Sequence, residues 1–274
     1  MPVKAHRFIR RMRGGAQAHL VEAEDGHFYV VKFRNNPQHR RILVNEWIAS
    51  VLLKYLDIAA PPVALIELST QFLESNPEVH IQMGTHRIEI EPGWHFGSRY
   101  PGDPFRLAVY DFLPDALIAK VENLEHFRGV YVFDKWTGNA DARQSIFFRA
   151  RLREWSSEGP ERTGFYAQMM DHGYIFDGPH WTFADSPLQG LYFRPLVYEP
   201  VHSLDDFQPW LDRVLHFPEE VIDDALKSLP PDWISGEEEM VEALLEKLMR
   251  RRSRVADLVE SGRHSRNNPF PGWV

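Results

Sequence analysis

Val132-Phe133-Asp134-Lys135-Trp136-Thr137-Gly138-Asn139-Ala140-Asp141-Ala142-Arg143-Gln144-Ser145-Ile146-Phe147-Phe148 carries the densest chemical signal in the chain, and Met170-Asp171-His172-Gly173 answers it further on. An apolar segment enters a turn built from Gly138, Asn139 and Asp141, then leaves as a short strand over residues 146–148. A second strand, predicted over residues 165–170, ends in an acid followed by glycine. Paired as a hairpin, the two strands bring two carboxylates together at one end. Phosphoryl transfer asks for that arrangement, because one carboxylate orients the attacking hydroxyl and the other holds the metal ion on the nucleotide phosphates.

Working outward toward the N-terminus, residues 8–34 read as a β-hairpin around Gly14-Gly15-Ala16-Gln17, with Glu24-Asp25-Gly26 as a second turn. Residues 27–33 are strongly β-prone and carry Lys32 near their end. Glycines followed by small residues let the backbone approach an anion closely, as a phosphate-covering loop must. A glycine pair alone is commonly just a turn; here two strands and a lysine follow it. Residues 38–57 are predicted helical, with Ile42, Leu43, Trp47, Ile48, Val51, Leu52, Tyr55 and Leu56 recurring at three- and four-residue steps. Glu46 lies on that helix. On an isolated helix it would read as a solvated glutamate, but after a strand bearing Lys32 a Lys32–Glu46 pair is expected, since a phosphate-gripping lysine needs a carboxylate to hold it extended. Ala60-Pro61-Pro62 closes the helix and residues 63–68 form the next strand.

Residues 78–90 alternate like a strand, residues 97–102 read as a loop, and residues 115–127 and 130–136 read as helices. The charged stretch 149–164 is a hairpin loop, and the aromatic, glycine-rich 175–187 is read as a substrate-facing loop. Residues 203–215, 218–228 and 235–261 carry amphipathic helical stripes. Ser235-x-x-Glu238 fits the capping-box pattern, whereas Ser203-x-x-Asp206 is only box-like. The tail, residues 263–274, reads as irregular, packed by Phe270 and Trp273.

The 274 residues suffice for two lobes or one large α/β domain, and 43% hydrophobic content is that of a globular protein with a real core. A net charge of −8 points away from a general nucleic-acid binder, and the basic run at Arg250, Arg251, Arg252 and Arg254 reads as a solvated helix face. With no cysteine, disulfides, thiolate metal sites and a cysteine nucleophile are excluded. No apolar run is long enough to span a bilayer and no secretory h-region is present, so a cytoplasmic protein with no membrane contact is expected. Thirteen histidines are present, but none in the spacing of a zinc enzyme.

Taken in order, Gly14-Gly15-Ala16-Gln17, Lys32, Glu46, the turn between Phe133 and Phe148, and Asp171 resemble the HipA-like kinase family, a branch of the protein-kinase-like fold from bacterial toxin–antitoxin systems. The resemblance implies an α+β, bilobal protein-kinase-like fold, with a small β-rich N-lobe over residues 1–100 and a mainly helical C-lobe over 101–274. It implies ATP with Mg²⁺ as cofactors, serine/threonine phosphorylation of a protein, and a protein substrate or antitoxin-like partner, while the acidic balance sets the expectation of no direct nucleic-acid binding. By position, Gly14, Gly15, Ala16 and Gln17 would cover the phosphates, Lys32 would grip them and Glu46 would hold Lys32. Asp141 would be the catalytic base and Asp171 the metal ligand.

The chain departs from the family pattern Asp-x-His-x-x-Asn: Arg143 stands for the histidine and Ile146 for the metal-binding asparagine. Asn139, Gln144 or Ser145 would then supply the missing oxygen, Asn139 first. A second register pairs Asp134 with Asn139 five residues later, but Phe133 and the strand after Asp141 favour Asp141. Two other readings stand beside an active protein kinase. One is a pseudokinase-like binding or interaction module, which the lost asparagine supports; the other is a small-molecule phosphotransferase.

Overall fold

The computed structural model describes residues 2–155, 160–265 and 268–273. Five strands form a closed barrel in the order β1-β2-β3-β7-β4: β1 (Val3–Arg11), β2 (His19–Ala23), β3 (Phe28–Lys32), β4 (Val63–Leu68) and β7 (Gly93–Arg99). All neighbours are antiparallel except β1 and β4, which close the barrel in parallel at Val3↔Ile66 and Lys4↔Glu67. The two-residue period of a strand splits β3 between two environments. Tyr29 and Val31, with Phe33 just beyond the strand, fill the barrel with Val21, Ile66 and Leu68, while Lys32 points out of it, opposite Phe96 of β7.

α1 (Arg41–Tyr55) lies against the outside of the barrel. Its N-terminal half is buried almost all round, from Ile42 through Glu46, because it is wedged between the barrel and the C-terminal helices. Its end is set by Asp57, which turns left-handed (φ 57°), so that the Ile58 N–H reaches back to the Leu53 carbonyl. The prolines expected to close it come later. α2 (Thr70–Ser75), capped by Ser69, leads to the two-stranded hairpin β5 (His80–Met83) and β6 (His86–Glu89).

Beyond the barrel come β8 (Val109–Tyr110), α3 (Asp115–Ile118) and α4 (His126–Thr137). The single helix expected over 115–127 is therefore two pieces, joined by a turn in which Glu122 N–H pairs with the Phe165 carbonyl. α4 is buried along nearly its whole length and ends at Gly138, which is left-handed at φ 62°. β9 (Gln144–Arg151) and β10 (Thr163–Met170) then form an unbroken antiparallel ladder from Gln144↔Met170 to Arg151↔Thr163. Both strands run longer than their sequence signals. The expected hairpin loop shrinks accordingly, and its middle, 156–159, lies outside the described residues.

α5 (Trp210–Leu215), α6 (Glu219–Lys227), α7 (Pro231–Ile234), α8 (Glu238–Arg251) and α9 (Val255–Glu260) complete the chain. One hydrophobic core runs from α1 and Phe96 through α4, β9 and β10 into these helices and on to Phe270 and Trp273. The tail signal at those two residues thus corresponds to real packing; 266–267 and 274 lie outside the described residues.

Two capping assignments are reversed. The Asp206 carboxylate accepts from the backbone N–H groups of Ser203 and His202, a true box, whereas Glu237, at the N-cap position of α8, gives no side-chain cap. The chain bends at Gly236 (φ 78°), which carries Ser235 out of reach. The basic run is not all solvated either. Arg251 is buried and donates to the Lys135 and Trp136 carbonyls at the end of α4 and to Asp185. Among the described residues no helix is long and apolar enough to cross a membrane.

Candidate functional site

The register of β9 and β10 puts the Asp141 turn and Asp171 at the same end of the hairpin, since Gln144 lies opposite Met170. Lys32 of β3 meets that end from the barrel side. Its Nζ donates to Glu46 Oε1 at 2.5 Å and to Asp171 Oδ1 at 2.9 Å. Burial alone would push the Lys32 pKa down; the two carboxylates outweigh it and hold the pKa above the ordinary lysine value. Burial likewise works against Asp171, but Lys32 outweighs it and keeps the carboxyl below the usual range, hence ionised. Three residues singled out in the sequence, Lys32, Glu46 and Asp171, are thus in direct contact. Asp171 is left-handed (φ 60°), a conformation an aspartate tolerates better than most residues. Gly173 follows because a Cβ there would stand 2.5 Å from Ile42 Cγ2 of α1.

Asp141 and Asp134 have opposite fates. Asp141 is exposed on the turn after α4, its main-chain N–H donating to Asn139 Oδ1 at 3.1 Å and its carboxylate accepting the Ala142 N–H at 2.8 Å. Asp134 is fully buried on α4 and forms a two-pronged pair with Arg143, whose Nε lies 2.8 Å from Oδ2. Arg143 stays charged despite its burial because Asp134 compensates it. The same guanidinium donates to the Met170 carbonyl at 2.8 Å and sits 3.0 Å from His172 Nδ1. Burial first, then the Arg143 charge, push the His172 pKa well down, so the ring is neutral. Its Nδ1 accepts from Arg143, and its Nε2–H donates to the Met169 carbonyl. Arg143, seen in the sequence only as a missing histidine, therefore ties the Asp141 turn to the Asp171 strand.

Further bonds fix the turn. Ala140 N–H donates to the Tyr174 carbonyl, Gly190 N–H to the Asp141 carbonyl and Arg143 N–H to the Leu191 carbonyl. Gly190 is left-handed (φ 70°), and a Cβ there would fall 2.2 Å from the Asp134 Cβ, so only glycine fits.

Asn139 is a correction. Expected to offer oxygen to a metal, it is buried, donating Nδ2–H to Asp134 Oδ1 at 2.9 Å while its Oδ1 receives Asp141 N–H. It belongs to the scaffold beneath Asp141. The Gln17 side chain turns to β5, exchanging two 2.7 Å bonds with the Gln82 backbone, and so anchors the β1–β2 loop. Gly14 and Gly15 are exposed and Ala16 half-buried at the tip of the β1–β2 loop. The expected substrate-facing loop is also largely inward, with Ile175, Phe176, Trp181 and Phe183 in the core. Sequence reasoning missed Asn45, whose only signal was a second polar residue beside Glu46 in an apolar run.

The donor set bears on which ion fits. Among the described residues no three His, Asp or Glu side chains gather into a metal site of their own. A lone ionised Asp171 fits a hard divalent cation that keeps phosphate and water oxygens and takes one or two protein carboxylates.

A barrel with an outward lysine, a helix-borne glutamate paired to it, and a hairpin ending in two aspartates define a protein-kinase-like fold. The sequence model of the HipA-like kinase family matches residues 5–149, more than half the chain, and the chain belongs to that family. Among solved structures, a Golgi casein kinase superposes with a TM-score of 0.53 at 13% identity, over 97% of this chain and 73% of that one. A Golgi casein kinase with Mn/ADP bound gives 0.48 at 12%, over 96% and 74%. HipA of Shewanella oneidensis MR-1, in complex with HipB and operator DNA, gives 0.44 at 14%, over 95% and 66%. No curated protein sequence matches the chain.

Proposed function

We propose that the protein is an ATP-dependent phosphotransferase acting on a protein hydroxyl, with residues 1–100 as the nucleotide-covering lobe and 101–274 as the lobe bearing the chemistry. The observation that carries this reading is the contact of Lys32 with both Glu46 and Asp171. Glu46 anchors Lys32 extended, so that the ammonium meets the nucleotide's phosphates, and the backbone at Gly14, Gly15 and Ala16 covers them. Asp171, with the charge of Lys32 beside it, is ionised and placed to hold Mg²⁺, which when bound neutralises charge on the phosphates. Asp141, exposed at the same end of the hairpin, orients the acceptor hydroxyl and takes its proton. Asn139, Asp134, Arg143 and His172 keep that carboxylate in place from below.

The test is thermal unfolding with saturating ATP and Mg²⁺. Nucleotide binding to the folded state raises the midpoint by mass action, roughly 2.7 kcal/mol of stabilisation at a hundredfold excess over Kd. Lys32→Ala should shrink the rise. Asp141→Asn should keep the rise but abolish phosphate transfer, which is scored with labelled ATP. No midpoint shift in the wild type sinks the reading. A shift without transfer under any acceptor leaves the pseudokinase-like module, the reading favoured by Ile146.

A further inference from the structure

Asn45 has no task in the reading above, yet it is fully buried, and its carboxamide reaches the segment following Asp171. The two N–H bonds of Nδ2 are shared among the carbonyls of Gly173 at 2.7 Å, Ile175 at 3.1 Å and Gly178 at 3.0 Å. Oδ1 accepts the Trp181 indole N–H at 2.9 Å. An indole nitrogen only donates and a carbonyl only accepts, so the partners fix which end of the amide is which. A single side chain therefore gathers four points of one segment.

That segment needs gathering. Asp171 (φ 60°), Phe176 (φ 61°), Asp177 (φ 65°), Trp181 (φ 57°) and Phe183 (φ 56°) are all left-handed although none is glycine. Residues with a Cβ hold that conformation only where their surroundings over-determine it. Besides Asn45, the neighbouring Arg41 donates to the Pro179 carbonyl at 2.7 Å and lies over the Trp181 ring at 4.2 Å. Asp171 heads this strained run, so its aim depends on the chain behind it staying put.

We propose that Asn45 is the positioning residue for Asp171. It touches neither nucleotide nor metal; it keeps the Asp171 carboxylate level with Lys32 by pinning residues 173–181 to α1. Because Asn45 and Glu46 are consecutive on α1, the helix sets the lysine-holding and the metal-holding carboxylates as one rigid unit. The inference rests on the phosphotransferase reading and assigns the metal-dependent part of nucleotide binding to Asn45. Loss of Asn45 frees Asp171 and leaves the Lys32–Glu46 contact in place.

The experiment measures ATP affinity with and without Mg²⁺ by isothermal titration for wild type, Asn45→Ala and Trp181→Phe, with midpoints recorded in parallel. Removing a partner that orients a metal-binding group typically costs about 10–100-fold in metal affinity. Asn45→Ala should therefore cut the Mg²⁺ enhancement of ATP binding by that factor, with metal-free ATP affinity within about twofold of wild type. Trp181→Phe keeps an aromatic ring under Arg41 and removes the N–H that Oδ1 accepts, together with part of the ring's volume; a single neutral hydrogen bond is worth about 2–10-fold, and the enhancement should fall by at least that much. A purely structural role lowers the midpoint and leaves the enhancement alone, and that result in folded Asn45→Ala overturns the proposal. Should Asn45→Ala fail to fold, an undiminished enhancement in Trp181→Phe overturns it by itself. Wild-type ATP binding that ignores Mg²⁺ is a different failure: it removes the phosphotransferase reading and this inference with it.

Discussion

At the scale of single residues, the two aspartates near the end of α4 differ in their surroundings: Asp134 is buried on the helix and Asp141 is exposed on the turn after it. Asp134 and Arg143 form a fully buried charge pair, and removing one partner strands the other. Breaking such a pair costs about 3–5 kcal/mol. Asp134→Asn should therefore lower the denaturant midpoint strongly, while Asp141→Asn, an exposed change, should leave it within about 0.5 kcal/mol of wild type. Chemical denaturation of the two variants decides. If Asp141→Asn is the destabilised one, the roles assigned here are inverted. The sequence favoured Asp141 through its place before a strand, but could not reveal why Asp134 is spoken for. That knowledge needs Arg143, nine residues on, folded back beneath the turn. The same limit hid Asn139, since a polar side chain in a turn looks identical whether it faces a metal or a neighbouring carboxylate.

At the scale of elements, periodicity served well where an element is long or strictly alternating. β4 falls on its predicted residues, and α1, β9 and β10 fall within a few residues of theirs. It served poorly where tertiary bonds cut a pattern short, as between α3 and α4, or where a cap depends on a local bend, as at Gly236. The β1–β2 loop illustrates both outcomes. Its glycines were legible, but the docking of Gln17 on β5 was not, because β5 lies far along the chain. β9 carries the sharpest consequence for activity. Ile146 sits half-buried in the strand, opposite Gln168, where the family pattern places a metal-binding asparagine. With Asn139 engaged below the turn, no replacement oxygen comes from there. A missing electrostatic contact to the transferring phosphoryl group costs about 10²–10³ in rate. Transfer by the wild type should accordingly be slow with nucleotide binding intact, and Ile146→Asn should speed it. The readout is labelled phosphate passing to a generic protein acceptor or to the chain itself, with midpoints checked for lost strand packing. Wild-type turnover matching an asparagine-bearing relative would place the missing ligand elsewhere, Gln144 being the exposed candidate.

At the scale of the whole molecule, the barrel contains a built-in sensitivity to acid. His19 on β2 and His95 on β7 are both fully buried, on either side of Phe33, with ring centroids 4.8 Å and 5.8 Å away. Burial first, with nearby Arg11 for His19 and Arg34 for His95, pushes each pKa down to about 4. His95 has a second reason to stay neutral. Its Nδ1 accepts the Arg34 backbone N–H while its Nε2–H donates to the Glu91 carbonyl, so a proton on Nδ1 would face another donor. In the unfolded chain both rings titrate near 6.5. The unfolded state thus binds more protons between pH 6.5 and 4, and stability must rise with pH across that window. The contribution is complete above 6.5 and is lost progressively as pH falls toward 4, on the order of 2–3 kcal/mol for each ring. Carboxylates held low, such as Asp171 and Asp206, act below the ordinary carboxylate pKa, whereas His172 and His126, also pushed down by burial, add to the loss in this window. Thermal midpoints followed from pH 7 to 4 should therefore decline, and His19→Gln with His95→Gln should make the decline shallower, leaving the share of His172 and His126. A double variant that loses stability in parallel with the wild type would place the acid-sensitive groups outside the barrel.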